Sequence, residues 1–371
     1  VKETIHQSRR SAARHASMFS AGMTDGRRVI FGLFIFFILI LSTLAYANEN
    51  ILNVYTWSEE IPEKIIKQFE KETGIDVNYS SFDSNEIMFA KLRTNRKGYD
   101  VVEPSSYYIE RMQRQHMLEV LNKKQLPNYK NLDPFFINQI YDSEGKYSIP
   151  FLWGVTGIVI NTDYYQPSDV KRWSDFLSPK FFNQLMLLDE ARGVFSPALR
   201  MLGYSVNDIN PKHLQSAFYK LKQLLPNVRL FNSDAAVSIL IDEDANIGMA
   251  WNGDIVKAML ENPKLQFIFP EDGFEIWVDN FVILKDAPHK ENAYRFLNFL
   301  LRPDIAMAVS REVTYATANL AARQLLPDHL KNNPILYPSY AILKRGEFQS
   351  DIGEDAAGFI EKYWELLKMG G

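Results

Sequence analysis

Cysteine is absent from all 371 residues, which removes at once a disulfide framework, a thiolate nucleophile, a Cys-ligated zinc and a lipid-modified cysteine anchor. Histidine is scarce. The six, at 6, 15, 116, 213, 289 and 329, never fall at a metal-ligand spacing such as H-x-x-x-H, and no metal is expected. The G-x-S-x-G elbow, the Walker loop and the G-x-G-x-x-G turn are missing too, so neither nucleotide-driven chemistry nor a cofactor is expected. A basic surplus is also lacking: the formal charge is −4, which gives no electrostatic footprint for nucleic acid.

What is present is an ordinary globular composition, 46% hydrophobic and 23% charged, in a chain long enough for two lobes. One long apolar run stands apart at 29–47, behind Arg27 and Arg28 and ending in Ala45-Tyr46-Ala47. A basic flank, an apolar stretch and small residues at the two recognised positions describe an export signal, cleaved after Ala47. Retention as a membrane anchor is the competing reading, because 19 residues nearly span a hydrocarbon core. The chain opens with Val, and a start at Met23 gives an ordinary signal n-region. Six basic and two acidic residues lie in 1–47, so the remaining 324 residues carry −8 rather than −4. An exported acidic chain favours cationic partners.

From residue 51 the pattern alternates strand and helix. Strands are predicted at 51–55, 75–79 and 99–102, with helices at 62–69, 85–95 and 107–115 between and after them. Pro62 opens the first helix, Gly74 closes it, and Ile65, Ile66 and Phe69 share one face. This βαβαβ order implies an α/β fold with a mostly parallel sheet flanked by helices. Further strands are predicted at 157–161, 184–188, 246–251, 266–269 and 281–284, and helices at 210–225, 235–242, 290–301 and 355–369. Asp142 is expected in an exposed turn before Gly145.

Asp189-Glu190 and Asp242-Glu243-Asp244 have the residue types of a hydrolase dyad, but acidic loops and helix starts are commoner uses of such pairs. Tyr107-Tyr108 and Tyr164-Tyr165 raise iron(III), for which tyrosinate is a hard ligand. Neighbours in a strand or helix point apart, however, and one buried and one exposed ring is the plainer reading.

Four tracts set an aromatic ring beside a polar or acidic group: Trp57-Ser58-Glu59-Glu60, Pro104-Ser105-Ser106-Tyr107-Tyr108, Trp251-Asn252-Gly253-Asp254 and Trp277-Val278-Asp279. Several sit at strand ends, where ligands gather in open α/β sheets. Aromatic faces with carboxylates suit a cationic amine: an ammonium gains about 0.5–2 kcal/mol over a ring, and a buried charge requires a partner.

Over the whole stretch after the signal, the chain resembles the periplasmic polyamine-binding proteins of ABC importers. The likeness is carried by Phe69-Glu70-Lys71-Glu72-Thr73-Gly74-Ile75, Ser84-Asn85-Glu86, Ala90-Lys91-Leu92, Tyr147-Ser148-Ile149-Pro150 and Trp153-Gly154. It continues through Phe231-Asn232-Ser233-Asp234, Trp251-Asn252-Gly253, the run from Asn298 to Asp304, and Asn319-Leu320-Ala321-Ala322-Arg323. The resemblance implies a two-lobed periplasmic binding protein fold, with spermidine or putrescine held between lobes that close about a hinge. It implies a membrane permease as partner, a monomer, and no catalysis. The lobes are expected at 48–153 plus about 279–318, and at 154–278 plus about 319–371. A membrane-anchored polyamine sensor, a ferric-binding protein and an exported hydrolase are the alternatives.

By resemblance, Trp57, Tyr107, Trp251 and Trp277 form an aromatic box and Asp279 holds an ammonium or secondary amine. Glu190 takes the place of an acidic ligand group, while Ser58, Ser105, Ser233, Tyr315 and Gln349 supply neutral hydrogen bonds. Three positions depart from the spermidine-preferring pattern. Glu60 replaces a tyrosine, Gly193 replaces an acidic group, and Asp254 matches an aspartate of putrescine-preferring relatives.

Overall fold

The first turn of helix after the opening strand begins as the sequence dictates. Pro62 caps α1 (Glu63–Thr73), which buries Ile65, Ile66 and Phe69; Gly74 then stops it at φ +71°, donating its N–H to the Glu70 carbonyl. The next helix, α2 (Asn85–Asn95), is started by the Ser84 hydroxyl, which accepts from the Ile87 N–H. The computed structural model describes residues 50–370. The export segment read at 29–47 lies outside the described residues, and among these no helix is long and apolar enough to cross a membrane.

The strands are β1 (Ile51–Trp57), β2 (Asp76–Phe82), β3 (Val101–Val102), β4 (Ser148–Asn161), β5 (Leu185–Leu187), β6 (Val228–Phe231), β7 (Ile247–Trp251), β8 (Leu265–Ile268), β9 (Phe274–Ile283), β10 (Ala316–Thr317) and β11 (Gly346–Phe348). Their main order is β2-β1-β3-β9-β4-β7-β5-β6, with β8 and β10 on β4 and β11 on β9. The longer helices after α2 are α3 (Ser106–Arg114), α4 (Ala191–Met201), α5 (Pro211–Leu224), α6 (Asn252–Ala258), α7 (Lys290–Leu300), α8 (Pro303–Val313) and α9 (Gly353–Lys368).

Two long strands tie the halves of this mixed α/β sheet together. β9 runs antiparallel to both β3 and β4, and β4 runs antiparallel to β7, while β1–β3, β5–β6 and β5–β7 are parallel. Each half is therefore a parallel set interrupted by one strand of opposite direction. The sequence reading caught only the second part of β4, because all 14 of its residues are buried and no alternation marks it. Pro150 adds to the difficulty: the register with β9 shifts between Pro150 and Trp153.

The core falls into two apolar clusters. Leu52, Phe69, Val101, Phe281 and Phe296 belong to the first. Trp173, Phe181, Leu187, Phe195 and Trp364 of α9 belong to the second. β4 feeds both, sending Val155 and Val159 to one and Ile158 and Ile160 to the other, as period-two alternation requires.

One expectation is corrected. Asp142 is buried and structural, not exposed: its carboxylate accepts from the N–H groups of Lys146, Tyr147 and Ser148 and from the Ser148 hydroxyl at 2.9–3.0 Å. The turn needs a carboxylate to gather backbone donors that would otherwise be orphaned.

Candidate functional site

β9 carries the centre of the site. Glu275, Trp277 and Asp279 alternate along it and so project from one face of the strand. Asp279 is buried, and its Oδ1 accepts from the Ser105 hydroxyl at 2.6 Å, across an antiparallel bridge between the two residues. Burial pushes its carboxyl up to about 7, against the opposing pull of Ser105 and of the Trp57 indole. That indole nitrogen is itself buried without a hydrogen bond of ordinary geometry. The Trp277 indole nitrogen is in the same position.

Glycine makes room for the rings. A Cβ at Gly154 would collide with the Trp277 ring and with Asn252, and one at Gly253 would collide with the Tyr315 ring. Trp277 and Tyr315 then meet edge to face, 5.3 Å between centroids. The Tyr315 hydroxyl donates to Asp254 Oδ1 at 2.6 Å. Asp254 lies in the first turn of α6, and desolvation raises its carboxyl to about 6.

Glu60, placed beyond β1, turns inward. Its carboxyl is raised well above the ordinary range, first by burial and then by the Asp279 charge, while the Glu103 carboxyl within reach pulls it down. Glu103 follows β3, is wholly buried, and faces both Glu60 and Asp279. Its raised carboxyl has the same leading cause, burial.

The second half contributes Glu190, at the N-terminus of α4, raised to about 8 by burial and by Glu275, Glu86 and Asp279, with Arg192 opposing. The Glu275 carboxylate accepts from Thr156 at 2.7 Å and from Gln349 at 2.8 Å. Gln349 thus commits one amide N–H to a carboxylate of the protein. Arg192 lies over the Tyr107 ring at 5.5 Å and donates to Asn207 and to the Ser350 carbonyl. The Tyr107 hydroxyl accepts from Asn85 at 3.0 Å.

Of the residues singled out from sequence, Trp57, Glu60, Ser105, Tyr107, Glu190, Trp277, Asp279, Tyr315 and Asp254 form one chain of contacts and electrostatic neighbours. Trp251 is half-buried against the second apolar cluster at the start of α6. Ser233 holds the Asp189 N–H at 3.0 Å and so shapes the loop before Glu190. Ser58 is exposed and donates to Asp83 at 2.9 Å.

Glu103, Glu275 and Arg192 were not foreseen. An acidic residue directly after Val101-Val102, and the spacing Glu275-x-Trp277-x-Asp279 on a strand, were the available signals. For the tyrosine pairs, burial raises Tyr107 and Tyr108, the opposite of what a tyrosinate ligand requires, and Tyr164 is exposed on Glu243. Among the described residues no group of three or more His, Asp or Glu side chains has a metal-holding arrangement.

Rings and carboxylates on this scale can hold an organic cation: the rings lend a face, and the acids counter the charge. Residues 64–338 match the model of the bacterial extracellular solute-binding proteins. The chain is 42% identical over 328 residues to the spermidine/putrescine-binding periplasmic protein of Salmonella typhimurium, covering 88% of this chain and 94% of that one. It is 34% identical to a putrescine-binding periplasmic protein of Escherichia coli, covering 80% and 85%. A solved structure, the spermidine/putrescine ABC transporter substrate-binding protein of Streptococcus pneumoniae, superposes with a TM-score of 0.76 at 33% identity, covering 86% and 99%.

Proposed function

The chain belongs to the bacterial extracellular solute-binding proteins, and from that premise we propose that it captures a linear polyamine, spermidine or putrescine, and delivers it to the permease of an ABC importer. The ligand leaves chemically unchanged. The observation that carries this reading is Asp279, buried on β9 and bonded to Ser105, with the Trp57 and Trp277 rings in the same neighbourhood. A carboxylate there stabilises an ammonium, and the ring faces cover the methylenes between charges. The protein works outside the cytoplasm after cleavage behind Ala47, as a monomer.

Closure of two lobes about a hinge supplies the capture step, favoured by a ligand that touches both. We divide them as 48–153 with about 279–318, and 154–278 with about 319–371.

Isothermal titration of the purified chain with spermidine, putrescine, an amino acid and a sugar tests the reading. Saturable heat with an amine alone is expected; heat with none of the amines overturns it.

A further inference from the structure

Glu103 is wholly buried, yet neither of its carboxylate oxygens has a hydrogen-bond partner, and Glu60 Oε2 shares that condition. A carboxylate oxygen is satisfied only by a donor. Most donors nearby face elsewhere. The Thr56 hydroxyl has the Trp57 carbonyl and the Tyr79 hydroxyl as its acceptors, the Ser105 hydroxyl goes to Asp279, the Glu103 N–H goes to the Tyr55 carbonyl, and the Trp57 indole, itself without a bond of ordinary geometry, bears on Asp279. Glu60 and Glu103 lie within bonding reach of each other, so a single shared proton is the one internal way to join them.

We propose that Glu60 and Glu103 form a second cation subsite in the first half of the sheet, beside Asp279, which takes a further ammonium of the ligand and makes a triamine preferred over a diamine. This rests on the polyamine reading and specifies its chemical class. An ammonium brings two or three N–H donors and a positive charge, which are the two things this buried pair lacks. Inorganic cations fit less well, because no described set of side chains there has metal-holding geometry. A diamine has two charges, and Asp279 together with the acids of the second half already offers them partners. The third nitrogen of a triamine is the one that finds its partner in Glu60 and Glu103.

The test is a competition titration of spermidine and putrescine on the wild-type chain, on Glu103→Gln and on Glu60→Gln. The ratio of spermidine to putrescine affinity is expected to fall about tenfold in each variant, since a neutral amide keeps the shape and removes the charge. A fall of less than about threefold in a folded variant overturns the subsite. Glu60 lies outside regular structure and is only half-buried, so Glu60→Gln decides the matter if Glu103→Gln does not fold. Wild type that binds neither amine fails the polyamine reading itself; wild type that binds both, with an unchanged ratio in the variants, fails the subsite alone.

Discussion

The two halves of the sheet bury carboxylates in opposite ways. In the second half, Glu275 is served by Thr156 and Gln349, and the charge of Arg192 bears on both Glu275 and Glu190. In the first half, Glu103 has no donor, Glu60 has one oxygen without a donor, and no cation bears on either. Both halves incur the desolvation cost of a buried acid, but only one offsets it internally. The difference teaches where the molecule is complete by itself and where it waits for something positive. A ligand that completes the unfinished half adds to the stability of the folded chain by mass action.

Removing the group both halves share breaks the comparison most severely. Asp279→Asn is expected to cost about 3–5 kcal/mol of polyamine binding, because an ammonium left buried without its carboxylate is strongly penalised. Asp76→Asn, at an exposed position of β2, is the control, expected to cost under about 1 kcal/mol. Calorimetric affinities that agree for the two variants would take Asp279 out of the site.

Gly253→Ala probes the second half. The added Cβ meets the Tyr315 ring and the Thr314 carbonyl, so Tyr315 must leave Asp254. Overpacking of this kind costs about 1–3 kcal/mol of stability, to be read as a lower urea midpoint. A variant with unchanged midpoint and affinity would mean that the ring has room to move.

Acid titration sharpens the contrast. Asp279 and Glu190 titrate at about 7 and about 8 in the fold, and at about 4 unfolded. Stability from their bound protons is fully present below the unfolded value and is lost as pH rises through the folded one. The ligand-free melting temperature therefore falls between pH 5 and 8. Polyamines stay cationic there and pair with the ionised form, so affinity rises over the same interval, by about tenfold per unit for Asp279 below its midpoint. Affinity flat from pH 5.5 to 8 would show that neither acid meets the ligand.

Much of this was legible in the sequence. The caps of α1, the strand–helix alternation and the four aromatic tracts are local patterns, and local patterns survive folding. What stayed hidden was non-local. β4 reads as featureless because both its faces are covered, and Glu103 reads as one more acid until β1 and β9 close around it. Gly154 and Gly253 look like loop glycines, and their purpose is visible only in the rings that press on them. Ser58, ligand-like by position, has its hydroxyl donating to Asp83, a partner that its place in the sequence does not reveal.

Trp251 is where the smallest effect is expected and where the two halves are hardest to separate. It ends β7, pairs across to Thr156, and lies half-buried against the second apolar cluster. One face is thus committed to packing, while its position at the start of α6 sets it three residues before Asp254. If the other face covers the ligand, Trp251→Leu keeps much of the apolar contact and removes the π face, at a cost of about 0.5–2 kcal/mol of binding. Folding stability should change little, because leucine still fills part of the volume. Titration and urea unfolding on the same preparation separate the two roles. Lost affinity at an unchanged midpoint assigns Trp251 to the binding half of the comparison; a lowered midpoint with affinity intact per folded molecule assigns it to the core.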